Sequence, residues 1–154
     1  SFAMTGWRIG YTYGPPWIME EAVKAVSYYT ICANSVGQRA AIAALKAEQS
    51  VFSQMVEEYN KRTEFVYQRL SQMPGIEVHP PKGTFYIFPK VSELAADGDE
   101  FAFKLLENEQ VVTVPGSAFG PSGKSCIRLA FTVVMEKIAA AMDKVERFAR
   151  SPRR

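Results

Sequence analysis

Histidine and cysteine are scarce in this chain of 154 residues, which holds one histidine, His79, and two cysteines, Cys32 and Cys126. A zinc site or a histidine-based catalytic triad needs more of these side chains than the chain supplies. The cysteines lie far apart and have no CxxC or metal-ligand spacing, so we expect no metal site. Reduced thiols in a cytoplasmic protein are the simplest account of such a pair.

The sequence also lacks a strong charge of either sign and any long apolar run. A formal net charge of +2 gives no reason to expect nucleic acid or an anionic membrane as a partner. No apolar stretch reaches membrane-spanning length, and no signal-peptide pattern opens the chain, which favours a cytoplasmic location. Hydrophobic residues make up 47% and charged residues 22%, as in globular domains with a core.

The most informative stretch is the opening one, where Gly6 and Gly10 bracket a tryptophan, an arginine and an isoleucine. Glycine allows tight turns and lets a ligand approach the backbone closely. Burying Arg8 among such apolar neighbours without a partner would be costly, and its planar fork suits a phosphate or a carboxylate. From the residues alone, Arg8 either binds the phosphate or carboxylate of a ligand, or lies in an ordinary strand and pairs with a carboxylate side chain.

A second arginine, Arg128, interrupts the apolar run Cys126-Ile-Arg-Leu-Ala-Phe131. In a strand, its neighbours Ile127 and Leu129 point to the opposite face. Arg128 therefore needs an anionic partner, and a carboxylate held by two parallel hydrogen bonds suits it best. That carboxylate belongs either to a substrate or to a Glu or Asp of a nearby strand.

Hydrophobic periodicity and turn residues predict a mixture of helices and strands. Asn34 or Ser35, Ser50, Asp97 or Asp99, and Thr132 are the predicted helix caps. The predicted helices cover about residues 17–30, 37–46, 51–73, 100–109 and 133–150, and the predicted strands cover residues 7–13, 76–79, 84–88, 111–114 and 125–131.

The segment Phe2-Ala-Met-Thr-Gly-Trp-Arg-Ile-Gly-Tyr11 closely resembles the segment that follows the Schiff-base lysine of class I/II aminotransferases. These are aspartate-aminotransferase-like enzymes of fold type I, which depend on pyridoxal 5'-phosphate (PLP). Pro81-Lys-Gly-Thr-Phe-Tyr-Ile-Phe-Pro89 and the turn Pro115-Gly-Ser-Ala-Phe-Gly120 are similar to two further signatures of that family. The resemblance implies an α/β fold. Residues 1–48 would be a remnant of the large PLP-binding domain, and residues 49–154 a long linking helix and an α+β small domain.

The resemblance also implies the site residues. Arg8 matches the arginine that holds the cofactor phosphate, and Arg128 matches the arginine that binds the substrate α-carboxylate. Phe85 lies in an element that lines the substrate side, although a plain core aromatic is an equally good reading of this residue. The family's catalytic lysine would stand just before Ser1. We therefore expect a fragment of a longer enzyme, inactive by itself.

The implied reaction moves an amino group between an amino acid, aspartate-like, aromatic or other, and a 2-oxo acid, in a homodimer. Two alternatives remain open at this stage. One is different PLP chemistry on the same scaffold, as in a C–S lyase or a cyclopropane-carboxylate synthase. Arg128 cannot separate these, because all of them hold an α-carboxylate. The other is a non-catalytic interaction module derived from the small domain.

Overall fold

The computed structural model describes residues 2–151, which divide into two compact units between Gln54 and Met55. Five α-helices and three short β-strands, joined by turns, make up the described chain. In order they are α1 (Pro16–Tyr29), α2 (Ser35–Lys46), α3 (Ser50–Ser71), β1 (Tyr86–Ile87), α4 (Gly98–Glu109), β2 (Val114–Pro115), β3 (Ile127–Ala130) and α5 (Met135–Arg150).

The first unit is built from α1, α2 and the segment that precedes them. Pro15 and Pro16 open α1, where a fixed φ suits the first helical turn. Asn34 caps α2, because its side-chain oxygen accepts a hydrogen bond from the backbone N–H of Gly37. Among described residues 2–54, Gly37 alone is fully buried, so this unit has little core of its own. Its exposed large apolar side chains include Trp7, Tyr11, Tyr13, Trp17, Tyr28, Tyr29 and Ile31.

The second unit packs a three-stranded antiparallel sheet, in the order β1-β3-β2, against helices. Strand alternation turns Ile127 and Leu129 of β3 toward the core, together with Ile87 of β1. Each helix presents one apolar stripe to this core, as the helical period requires. The buried side chains of the helices are Val66 and Leu70 of α3, Phe101, Ala102 and Leu105 of α4, and Ile138, Met142 and Val145 of α5.

The start of α4 is fixed by a reciprocal pair of hydrogen bonds. The Asp97 carboxylate accepts from the backbone N–H of Glu100 at 2.9 Å, and the Glu100 carboxylate accepts from the N–H of Ala96 at 2.8 Å. One free N–H group of the first helical turn and the N–H of the residue before the cap are thereby satisfied. Of the two predicted caps, Asp97 fills the position, while the Asp99 carboxylate accepts a hydrogen bond from the hydroxyl of Ser117 at 2.9 Å.

Ion pairs join α3 and α4 to α5 at the surface of the second unit. Arg69 of α3 contacts Asp143 at 2.7 Å and Glu146 at 2.9 Å. Arg147 of α5 donates two parallel hydrogen bonds to Glu109 of α4, at 3.1 and 2.7 Å. Hydrogen bonds from Arg69 and from Arg147 lower the pKa of Glu146 and of Glu109, respectively, below the usual carboxyl range. Both carboxylates therefore stay charged at neutral pH.

The prediction of a strand over residues 7–13 is wrong. Thr5–Trp7 forms a 3₁₀ turn, and Arg8 then takes a left-handed conformation with φ of 50°. A strand needs hydrogen-bonding neighbours, and no described segment pairs with residues 7–13. The predicted strand 76–79 is likewise reduced to one bridge between Glu77 and Lys90.

The other strands are present but shorter than predicted, and β2 includes Pro115. A proline is tolerated there because β2 is an edge strand and the missing N–H costs no sheet hydrogen bond. Thr132 does not cap α5; Val134 precedes this helix and makes no side-chain capping bond. The helix α3 begins at Ser50 itself and ends at Ser71, earlier than expected. Pro74 disfavours a helical conformation of the residue before it, and Gly75 then turns the chain with φ of 77°.

Two phenylalanines of α4 test whether this core holds the second unit together. Phe101 is fully buried, whereas Phe103, two residues away, is 62% exposed. Phe101→Ala should lower the free energy of unfolding by about 3–5 kcal/mol, because it removes buried apolar surface and leaves a cavity. Phe103→Ala, the matched control, should change it by less than about 0.5 kcal/mol. Urea unfolding of the 154-residue chain measures both; equal effects would contradict the packing described above.

Candidate functional site

Arg128 lies at the middle of the central strand, on the face that points away from the core. In the sheet register, Val114 of β2 stands opposite Arg128, and Tyr86 of β1 stands opposite Ala130. Residues opposite each other in an antiparallel pair share a face. Val114, Tyr86 and Arg128 therefore share one face of the sheet, while Ile127 and Leu129 fill the core on the other.

The Arg128 guanidinium is held by two aromatic rings. Its Cζ atom lies 4.4 Å from the centre of the Tyr86 ring and 4.7 Å from the centre of the Phe119 ring. Both distances are well within the range of cation–π attraction. The two rings therefore attract the positive charge of Arg128 without supplying an acceptor for its N–H groups.

No carboxylate of residues 2–151 forms an ion pair with Arg128, although other arginines of the second unit, Arg62, Arg69 and Arg147 among them, are all paired. The Nε atom of Arg128 is buried and has no hydrogen-bond partner within the described chain. A buried donor left unsatisfied costs about 1–3 kcal/mol. The site therefore has an unused positive charge and unused donors, which suit an anion supplied from elsewhere.

Phe119 reaches Arg128 from a turn that is tied down on several sides. The turn Gly116–Phe119 follows β2, and the Gly116 N–H donates to the carbonyl of Cys126 at 2.8 Å. Its Ser117 hydroxyl bonds Asp99 of α4. Gly116 and Gly123 pack backbone to backbone, and a Cβ on either one would collide with the carbonyl oxygen of the other. Two glycines are thus required for this close approach.

Tyr86 is placed by a strained residue just before β1. Thr84 adopts φ of 70°, a left-handed conformation that is unfavourable for a β-branched side chain. Its hydroxyl accepts a hydrogen bond from the Tyr86 N–H at 2.8 Å. Strain of this kind costs on the order of 1–3 kcal/mol and persists only where the surroundings enforce it. Thr84 thus holds the chain in the conformation from which Tyr86 enters the sheet.

Phe85 packs at the border of the core. Its ring centre lies 5.8 Å from that of Tyr59 on α3 and 4.5 Å from that of Tyr86, and its carbonyl accepts from the Phe131 N–H at 3.2 Å. The residue is half-buried. Phe85 therefore contacts both the apolar core and one of the rings that hold Arg128.

Arg8 belongs to the first unit and is exposed. Its Nη1 donates to the carbonyl of Thr5 at 3.1 Å, and no described carboxylate pairs with it. The Nδ2 of Asn34, whose oxygen caps α2, donates to the carbonyl of Trp7 at 3.1 Å. Asn34 thus fastens the peptide group before Arg8 to the first turn of α2. An exposed guanidinium with an unpaired charge fits a phosphate group.

Neither aromatic partner of Arg128, Tyr86 or Phe119, was predicted from the sequence. Alternation along β1 places Tyr86 on the face opposite Ile87, so the sequence did indicate that Tyr86 faces away from the core. Phe119 stands within the recognised Pro-Gly-x-x-Phe-Gly turn, but nothing in the sequence says that this turn folds over β3. Within the described residues, no three His, Cys, Asp or Glu side chains are grouped so that they could hold a metal ion. None of the described helices combines the length and the hydropathy that a membrane span requires.

Comparison with known proteins identifies close relatives. The family model described as aminotransferase class I and II matches residues 1–145. Aspartate aminotransferase of Pyrococcus horikoshii is 40% identical over 149 residues, covering 96% of this chain and 38% of that protein. Aromatic-amino-acid aminotransferase 2 of Thermococcus litoralis is 38% identical over 149 residues, with the same two coverages, 96% and 38%.

Solved structures of aminotransferases are also similar to this chain. An aromatic aminotransferase from Pyrococcus horikoshii superposes with a TM-score of 0.82 at 39% identity, over 95% of this chain and 39% of that one. An alanine aminotransferase from Pyrococcus furiosus gives a TM-score of 0.82 at 34% identity, over 96% of this chain and 39% of that one. These matches confirm the resemblance and the predicted α/β fold. The chain spans about 38% of the length of the curated relatives it matches.

The two hydrogen bonds of the Asn34 side chain predict what holds the segment before Arg8 in place. Asn34→Ala should weaken the start of α2 by about 1 kcal/mol, the usual value of a helix cap, and release the Trp7 carbonyl. Hydrogen exchange at the amides of Gly37 and Arg8 should then become faster. Ser35→Ala, the neighbouring control, should leave both rates unchanged. Unaltered exchange in Asn34→Ala would show that this side chain fastens nothing.

Proposed function

We propose that the whole protein moves an amino group between an amino acid and a 2-oxo acid, since the chain belongs to the family of class I and II aminotransferases. Members of this family are enzymes that depend on PLP. The observation that carries the proposal is the Arg128 guanidinium, which lies on two aromatic rings without an ion-pair partner in the described chain. Such a group matches the carboxylate that every amino acid and 2-oxo acid shares.

In the proposed reaction, Arg128 binds and orients the substrate. Its terminal nitrogens donate two hydrogen bonds to the α-carboxylate, which fixes both the position and the rotation of the molecule. The aromatic rings beside it are apolar, so the charge interaction is less screened than in bulk water. Because the carboxylate is present in both substrates, one arginine serves both halves of an amino-group exchange.

The residues present fit a role in holding PLP. Arg8, exposed and without an ion-pair partner in the described chain, would bind the cofactor phosphate, and Asn34 would keep its backbone in place. The chemistry that PLP supplies when bound is the withdrawal of electrons from the amino acid's α-carbon. In this chain, Arg8 contributes only binding to that chemistry.

The substrate side and the domain division are proposals of the same kind. Phe85, in contact with Tyr86, would form part of the wall of the substrate pocket. Residues 1–48 would belong to a large PLP-binding domain, and residues 49–154 would supply the linking helix and the small domain. A carboxylate clamp accepts any amino acid, so the proposed substrates include aspartate-like, aromatic and other amino acids.

The 154-residue chain by itself should have no aminotransferase activity, since it spans about 38% of the length of relatives that carry this activity in their names. Addition of PLP, an amino acid and a 2-oxo acid to the purified chain should produce no turnover.

For the whole protein we propose a homodimer, which sedimentation would test. We also propose a cytoplasmic location, since the described cysteines, Cys32 and Cys126, are both free thiols.

The proposal is tested on the full-length protein with the variant Arg128→Lys. Lysine keeps the charge but loses the two parallel hydrogen bonds, so kcat/KM for the amino acid should fall by about 10- to 100-fold, corresponding to the 1.5–3 kcal/mol of a charged hydrogen bond. A coupled assay of 2-oxo acid formation measures this.

The matched control is Arg147→Lys, which alters an arginine that pairs with Glu109 at the surface. Its kcat/KM should stay within about twofold of the unmodified enzyme, because surface ion pairs contribute little. Unchanged kinetics in Arg128→Lys would overturn the assignment of Arg128 to substrate. A full-length enzyme that releases the amino group as ammonia, instead of transferring it to a 2-oxo acid, would overturn the amino-transfer reaction itself.

The role of Arg8 is tested separately by cofactor binding. Arg8→Met in the full-length protein should raise the dissociation constant of PLP by about 10- to 100-fold, because a charged hydrogen bond to phosphate is lost. Arg39→Met, an exposed arginine of α2, is the control and should bind PLP normally. Equal dissociation constants for Arg8→Met and the unmodified protein would remove Arg8 from the cofactor site.

A further inference from the structure

We propose that Phe119 and Tyr86 are positioning residues, which hold the Arg128 guanidinium so that its two terminal nitrogens, and not Nε, meet the substrate carboxylate. This inference rests on the proposed function, since it concerns how Arg128 presents itself to that carboxylate. It assigns a role in substrate binding to two side chains that need not touch the substrate.

The accessibility of the guanidinium atoms sets the direction of approach. An arginine can bind a carboxylate either through both terminal nitrogens or through Nε and one of them. The Nε atom of Arg128 is buried although the residue as a whole is half-buried, so a carboxylate arriving from solvent cannot reach Nε. The terminal nitrogens are the donors that remain for it.

The rings supply what fixes this orientation. An arginine side chain has several rotatable bonds, and no ion pair within the described chain holds this one. The Tyr86 and Phe119 rings, at 4.4 and 4.7 Å from Cζ, are the cation–π contacts that restrain this guanidinium. An arginine side chain that is already held in one conformation loses less conformational freedom when its ligand binds.

Phe119 has no evident part in the core that would explain its position. Its side chain is 52% exposed, and its ring meets that of Phe88, itself 42% exposed, at 5.9 Å between centres. A large apolar side chain at the surface gains little stability from burial. Its contact with Arg128 is therefore the interaction that distinguishes it, and its removal should not unfold the second unit.

The kinetic test uses the full-length enzyme with its cofactor and the variant Phe119→Ala. Loss of one cation–π contact should raise KM for the amino acid by about 3- to 30-fold while kcat stays within about twofold. Phe119→Tyr, which keeps a ring, should restore KM. Tyr86→Leu, which removes the other ring and keeps an apolar side chain, should likewise raise KM. Phe103→Ala, with an exposed phenylalanine of α4 removed, is the control and should leave both constants unchanged.

A second readout does not depend on turnover. In the 154-residue chain, the Arg128 Nε–H signal in ¹⁵N-resolved spectra is identified by its absence in Arg128→Lys. The rings should shift this signal and slow its exchange with water, and both effects should diminish in Phe119→Ala. Titration with propionate, a carboxylate without an amino or oxo group, should shift the terminal N–H signals of Arg128 more than the Nε–H signal.

These experiments test the positioning role of the rings and the assignment of Arg128 to substrate separately. If Arg128→Lys impairs the enzyme but Phe119→Ala changes neither KM nor the Nε–H signal, the positioning role is wrong and the proposed function stands. If Arg128→Lys itself leaves the enzyme unimpaired, the assignment of Arg128 on which this inference rests is wrong. A larger propionate shift at Nε–H than at the terminal groups would overturn the end-on approach.

Discussion

The burial of alternate residues along β3 is the constraint on which the second unit and its site depend. Ile127 and Leu129 fill the core beneath the sheet, and the strand's period of two then turns Arg128 outward. Hydrogen bonds to a strand on each side keep this register. A shift by one residue would bury the guanidinium and expose two large apolar side chains, so core packing and the orientation of Arg128 are fixed by the same contacts.

The helices were largely predictable from the sequence, whereas only three of the five predicted strands are present in the described chain, and those are shorter than predicted. A helix makes its backbone hydrogen bonds within one segment, so local period and caps such as Asp97 suffice to locate it. A strand depends on partners that the local sequence does not specify. Residues 7–13 have the composition of a strand, yet no described segment pairs with them, and Arg8 takes a left-handed conformation there instead.

The same distinction applies to the candidate site. That Arg128 faces away from the core follows from alternation alone, and so does the face of Tyr86. The contact with Phe119 depends on a turn that folds back over β3, which only the tertiary structure reveals. The positive φ of Thr84 is equally invisible in the sequence, because threonine is among the residues least expected in that conformation.

The contact between Gly116 and Gly123 has a consequence for how this turn can vary in evolution. Because any side chain at either position would strike the opposite carbonyl, no single substitution there is neutral. The exposed residues Ala118 and Ser122, which lie between them, meet no such barrier. Evolution can therefore alter the exposed surface of this turn, whereas the two glycines must stay if the backbone is to keep its path.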